Sequence, residues 1–175
     1  MRAPDAPLHG ELTVVRPATA DDVDLLVDWH ADPEVARYWD GETFTPEEMA
    51  LRLAAVDVDP YVVQEDGEPI GYLQAWFDDD APDEGGLDMF LIPAARGRGL
   101  GPDAASTLAR WLVTFGRRRR LTVDPSLSNG RAIRAWTKAG FRPVERRGPD
   151  HEHAEPWLLM EAERTSLGLP AVPTG

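Results

Sequence analysis

The sequence predicts an α/β protein of the α+β kind: a mixed, largely antiparallel sheet with one parallel pair and helices on both faces. Three observations predict it. Strand-like segments are joined by short turns such as Glu65-Asp66-Gly67, which calls for hairpins. One stretch, residues 86–123, runs strand, glycine turn, helix, strand, and that crossover requires a parallel pair. The helical segments carry apolar residues at 3-and-4 spacing, so each buries one face.

The elements follow in order. ELTVVRP (11–17) alternates like a strand and stops at Pro17. Thr19, three residues before Asp22, caps a helix carrying Val23, Leu26 and Trp29, which Asp32-Pro33 breaks. An aromatic stretch, ARYWDGE (36–42), leads to Thr45-Pro46-Glu47-Glu48, an N-cap with proline at the first helical position. That helix is expected to reach Val56. YVVQ (61–64) and IGYLQAWF (70–77) flank Asp66-Gly67 as a hairpin. The loop DDDAPDEGG (78–86) holds five acids in nine residues. GLDMFLI (86–92) is a mostly apolar strand in which Asp88 stands out.

After ARGRGLGPDA (95–104), Pro102 is expected to open a helix with Ala105, Leu108, Leu112 and Phe115 on its apolar face. RLTVDPS (120–126) is a strand ending at Asp124-Pro125, and SNGRAIRAWTKAG (128–140) a helix closed by Gly140. FRPVERR (141–147) and PWLLMEAE (156–163) form a last antiparallel pair. Residues 1–165 read as a single domain and 166–175 as a flexible tail.

A chain of 175 residues, 42% apolar with six Trp, can bury a core and is not disordered. The absence of cysteine removes disulfides, thiolate catalysis and cysteine-based zinc sites. MRAPDAPLHGE contains no apolar leader, and no later run approaches a membrane span. A cytoplasmic protein without a membrane partner is expected. The net charge of −13 is unevenly spread: residues 1–95 hold 4 basic and 23 acidic side chains, residues 96–175 hold 14 and 8. Solubility accounts for any one of these charges. A change of sign at one point suggests two ligands of opposite charge, and the acidic total argues against a nucleic-acid partner.

The sign changes at the glycine turn. Glycine costs roughly 0.5–1 kcal/mol inside an ordinary element, so this turn needs bare backbone. A strand running through glycines into a helix N-terminus presents free N–H groups and partial positive charge, a site for phosphate. Neither GxxxxGK[ST] nor GxGxxG is present, so it is not a P-loop or a dinucleotide fingerprint. Taken alone, the turn is equally readable as structural.

The downstream segment adds to this. Arg96-x-x-Gly99-x-Gly101, then a helix, a strand, Asn129-x-x-Ala132 and Ala139-Gly140-Phe141 together resemble the GNAT superfamily of acyl-CoA-dependent N-acyltransferases over nearly the whole chain. EPIGYLQAW, GLDMFL and DPSLSNGRAIRAWTKAGF are similar to the aminoglycoside 6'-N-acetyltransferases, which read GEPIGY, G-I-D and DPSxSNxRAIRxYxKAGF.

The resemblance implies acetyl-CoA as donor and direct transfer to an amine with no acyl-enzyme, which suits a chain without cysteine. It implies that the backbone of Arg96, Gly97, Arg98, Gly99, Leu100 and Gly101 holds the CoA pyrophosphate. The strands at 86–92 and 120–124 would splay, with the pantetheine between them on the exposed backbone of Phe90, Leu91 and Ile92 and in contact with Asn129. Arg96, Arg98, Arg131, Arg134 and Lys138 are the candidates for the CoA phosphates. The polyphosphate then belongs with the basic half and a polycationic aminoglycoside with the acidic half, where Asp79 and Asp80 would wall the acceptor cleft.

An ammonium must lose a proton before it attacks a thioester, and a nearby carboxylate can hold it and take that proton. Asp88 matches the family's carboxylate in G-I-D and is the candidate base; the other reading is a solvated strand-edge acid. Asp124 matches the acid of DPSxSN and would grip another ammonium; otherwise it is a turn acid before Pro125. Asp150 resembles a Pro-Asp acceptor ligand, and Tyr38 and Trp39 either floor the sugar site or belong to the core. A backbone N–H of the 88–92 strand would polarise the thioester carbonyl.

One departure is Trp136, where the family has a Tyr thought to protonate the leaving thiolate; indole is a donor but not a usable acid. His151-Glu152-His153 reads as a solvated loop rather than a metal site. Arg117–Arg120 lies roughly 20 Å from the turn at 1.5 Å per helical residue, and reads as a basic helix end. Two other functions stay open: acylation of a siderophore lysine or polyamine, and a non-catalytic CoA-binding module for which Trp136 is the argument. A monomer and a homodimer are both compatible with the sequence.

Overall fold

Local chemistry sets most element ends. In the computed structural model, which describes residues 4, 6–39, 41–77, 81, 83–116 and 118–171, Thr45 Oγ1 accepts from the Glu48 N–H at 3.2 Å. The Glu48 carboxylate returns the bond to the Thr45 N–H at 2.8 Å. Helix α3 (Pro46–Leu53) starts at this box and stops three residues short of Val56. Ahead of it lie α1 (Val23–His30) and the single turn α2 (Pro33–Ala36), whose N-cap is Asp32. Asp66 and Gly67 both have positive φ, the geometry of a two-residue hairpin, and join β3 (Val58–Glu65) to β4 (Glu68–Phe77).

Among the described residues eight strands form one sheet. The others are β1 (Leu8–His9), β2 (Val14–Pro17), β5 (Glu84–Leu91), β6 (Arg120–Val123), β7 (Arg142–Arg147) and β8 (Trp157–Ala162). They lie in the order β1-β2-β3-β4-β5-β6-β8-β7, all neighbours antiparallel except β5 and β6. Helix α4 (Leu100–Thr114) makes the crossover between that parallel pair, and α5 (Gly130–Ala139) ends at Gly140 with φ +105. The fold is the one expected.

Side-chain alternation divides the core. Leu73, Leu87 and Leu91 join α4 and α5 in one cluster through Ala105, Leu108, Leu112 and Trp136. Tyr72 and Phe90, one residue out of step, join Leu26, Val35 and Met49 of α1–α3 in another. The helices therefore cover both faces.

Three local expectations are corrected. Helix α4 begins at Leu100, because Gly99 (φ +85) serves as its N-cap; Pro102 lies inside the first turn, where its missing N–H has no partner to lose. Phe115 falls just past the helix and is 62% exposed. Leu167, inside the segment expected to be a tail, is buried in the core, with its carbonyl accepting from Arg110 Nε at 2.9 Å.

Two polar ties close the fold. Arg118 stacks over Phe77, Arg119 pairs with Asp83, and Arg120 pairs with Glu84 and Glu161, so this basic segment pins the start of the parallel pair. Arg117 lies outside the described residues. Asp103, in the first turn of α4, accepts from the N–H groups of Glu11, Leu12 and Thr13 at 2.9–3.0 Å and from the Thr13 hydroxyl at 2.6 Å. Asp103→Ala removes all of these at once. It should lower stability by about 2 kcal/mol, read as a lower urea midpoint at unchanged slope.

Candidate active site

The site starts where a pairing stops. β5 pairs with β6 only at Glu84–Gly86 against Arg120–Thr122. Beyond that, β5 continues along β4 to Leu91, and β6 pairs with β8 through Val123–Met160. Trp76 lies flat against Gly86, where any Cβ would overlap its ring. The opened strands frame a cleft of about 1070 Å³.

One end of the cleft is built from backbone. Gly97 (φ +80) and Gly99 (φ +85) line it, in conformations that other residues avoid. A Cβ on Gly97 would meet nothing within 4 Å. Gly101 also lines the cleft, and its lack of a side chain brings α4 down onto Met89, whose Cε would lie 3.2 Å from a Cβ there. Arg131, Arg134 and Lys138 of α5 line the same cleft and form no salt bridge among the described residues. Asn129 lines it too, while its Oδ1 caps α5 at the Ala132 N–H.

Other predicted donor-site residues are placed differently. Arg96 lines the cleft, but its guanidinium is bonded to the Leu91 carbonyl and to Glu34 at 2.7 Å. It ties the turn to α2. Arg98 lies outside the cleft lining, paired with Glu65. Leu100 and Phe90 have buried side chains, in the α4 and α1–α3 cores respectively, while Phe90 and Leu91 still line the cleft. The Leu91 carbonyl is used by Arg96, and the Ile92 N–H donates to Ile70. Ile92 does not line the cleft.

The opposite face carries the acids and aromatics. Asp88 is half-buried, and its Oδ2 accepts from Gln74 Nε2 at 2.8 Å. Gln74 is itself buried and oriented: its Oε1 accepts from the Tyr72 hydroxyl at 3.0 Å and from Arg52 at 3.1 Å. Burial pushes the Tyr72 pKa up to about 12, so the phenol stays a donor. This fixes the amide with its N–H toward Asp88. Trp39 unites the two readings of it. It lines the cleft and packs edge-on against Tyr72, Phe90 and the buried His30, while Tyr38 lines the cleft and stays exposed.

Asp124 and Asp150 also meet at the cleft, joined by His153. Asp150 is chiefly a loop organiser: it accepts from the N–H groups of Glu152 and His153, from Trp157 Nε1 and from His153 Nδ1. The hydrogen bond from His153 heads the causes that hold its pKa at about 2. Asp79 and Asp80 lie outside the described residues.

Sequence reasoning missed Gln74, Arg52 and His153. For Gln74 there was a signal, a lone amide within the apolar strand IGYLQAWF, which when buried requires partners. For Arg52 there was none, since Gln74 lies far along the chain; for His153 the decisive partner, Asp124, is equally distant, although Asp150 and Trp157 are close by.

A cleft lined at one end by a glycine turn and three cations, and at the other by carboxylates, suits a polyphosphate thioester and an amine. That division of labour is the one an N-acetyltransferase needs. The chain belongs to the GNAT acetyltransferase family: residues 18–147 match the model described as "Acetyltransferase (GNAT) domain". It is 34% identical over 152 residues to the aminoglycoside N(6')-acetyltransferase type 1 of Klebsiella pneumoniae, covering 77% of this chain and 74% of that one. The structure of AAC(6')-Ib in complex with paromomycin and acetyl-CoA superposes with a TM-score of 0.77 at 28% identity, covering 94% of this chain and all of that one. N5-hydroxyornithine acetylase of Beauveria bassiana is 28% identical over 149 residues, 79% of this chain but 27% of its own length.

Because Gly97 faces open space, a side chain there disturbs only its own backbone and whatever occupies the turn. Gly97→Val should cost roughly 1–2 kcal/mol of stability from the left-handed φ. It should also weaken acetyl-CoA binding by calorimetry at least ~10-fold. Unchanged binding would make the turn purely structural.

Proposed function

We propose that this protein transfers the acetyl group of acetyl-CoA to the 6'-amine of an aminoglycoside. The observation that carries the reading is the placement of Asp88. It stands on the unpaired part of β5, and its side chain projects to the α1–α3 face while Leu87, Met89 and Leu91 face α4. A donor lying in the splay, its phosphates at the glycine turn, would present its thioester next to this carboxylate. The amine would come from the Asp88 face. The similarity to aminoglycoside acetyltransferases supports the acceptor class.

Asp88 binds the acceptor ammonium and takes its proton; Gln74 holds the carboxylate in place through one oxygen. The freed amine attacks the carbonyl carbon, a β5 backbone N–H stabilises the charge on oxygen, and the C–S bond breaks. Trp136 is 6% exposed and packs on Phe141, so water is the proton source for the thiolate. Arg131, Arg134 and Lys138 would take the CoA phosphates. This reading places the protein in the cytoplasm, where acyl-CoA donors are made.

Purified protein with acetyl-CoA and kanamycin should release CoA and yield a product acetylated at the 6'-amine. Asp88→Asn should lower kcat/KM by roughly 10²–10⁴-fold. CoA release with hydroxyornithine and none with any aminoglycoside would move the acceptor to that class. Full activity of Asp88→Asn would remove it as the base.

The acceptor's charges should also be felt over distance. Raising ionic strength should raise the KM for kanamycin, since salt screens exposed pairs beyond about 8–10 Å. A KM flat with salt would count against a carboxylate-lined acceptor face.

A further inference from the structure

His153 lies beyond the segments that carry the family resemblance, yet it stands against Asp124. Its ring stacks on Trp157 at 4.2 Å with a 17° tilt, and its side chain is 18% exposed. Nδ1 faces Asp150 Oδ1 at 2.9 Å and Nε2 faces Asp124 Oδ2 at 3.2 Å. Carboxylates only accept, so both contacts are satisfied only when both ring nitrogens carry protons. Burial works against the charged ring, but the hydrogen bonds and charges of Asp150 and Asp124 outweigh it and raise its pKa above the ordinary value.

The remaining charged groups around the ring are few. Arg147 of β7 lies 5.1 Å from the Trp157 ring centroid. Glu155 is held by Ser126 and Ser128. In the loop itself His151 and Glu152 face each other at 3.5 Å. Asp150, already bonded by its own loop, keeps Nδ1 protonated in either state. The nitrogen that titrates is Nε2, and it faces Asp124.

We propose that His153 gates Asp124: as imidazolium it takes the place of an acceptor ammonium on that carboxylate, and as neutral imidazole it adds a second acceptor for the same ammonium. The proton leaves to solvent when the acceptor binds. Since the folded pKa is raised, the His153–Asp124 tie is complete at low pH and is lost as pH rises through that pKa. Acceptor affinity follows the opposite course. The proposal rests on the reading of the acceptor as a polycation.

The test is calorimetric titration of kanamycin into CoA-saturated protein from about pH 5.5 to 8.5, a window around the ordinary histidine value. Wild type is compared with His153→Gln, so that the titration of kanamycin itself cancels in the ratio of affinities. At low pH the variant should bind more tightly, and the ratio should shift by roughly tenfold in favour of wild type as pH rises. In an Asp124→Asn background, His153→Gln should have little further effect on that ratio. A ratio constant with pH, or a loss of affinity at low pH, overturns the gate and leaves His153 a loop support. Absence of kanamycin binding to every form at every pH overturns the aminoglycoside reading itself, and the gate with it.

Discussion

The early end of the β5–β6 pairing is the constraint on which the site depends. A buried strand edge without partners is costly, because each free N–H or C=O is worth a lost hydrogen bond. The open-edge groups of these strands face the cleft, and each strand keeps its ladder on the other side. β5 stays registered with β4 from Phe77–Gly85 to Gly71–Leu91, and β6 stays registered with β8. The arginine pairs at Asp83, Glu84 and Glu161 hold the closed end. What is left open is a slot with backbone on its walls, flanked by the paired strands β4 and β8.

Electrostatics then sorts the two ends, though less simply than the sequence suggests. Residues 96–175 carry a net charge of +6, yet not all of it is free. Arg96 and Arg98 are neutralised by Glu34 and Glu65, acids of the other half. These pairs brace the turn, and on the α5 side Arg131, Arg134 and Lys138 line the cleft without a salt bridge among the described residues. The acidic side is tempered too. Gln74 donates to one oxygen of Asp88, and Asp150 is bonded by its own loop. The working charges are those left after internal pairing, not the totals.

Much of the fold was legible because its signals are local. Capping boxes, the Asp66-Gly67 turn and the C-cap at Gly140 depend on residues within a few positions of one another. The long motif around Asn129 named the family for the same reason. The errors arose where distant contacts decide. Leu167 is ordered by α4, which no tail-like composition reveals. The start of α4 moved because Gly99 could adopt a positive φ, a choice made by the turn as a whole. Likewise, proximity in sequence could suggest Arg96 and Arg98 as phosphate ligands but could not show that their side chains pair with acids of α2 and β3. His153 looked like a solvated loop residue until β6 and the loop were brought together.

The glycine turn shapes the cleft through φ angles and a helix start, whereas the Asp88 face shapes it through side chains. The two differ in how they respond to mutation. A point substitution on the acceptor face changes a carboxylate, an amide or a ring and leaves the slot standing. A substitution in the glycine turn disturbs the backbone itself. The amine-facing wall can therefore be altered one side chain at a time without touching the backbone that forms the slot.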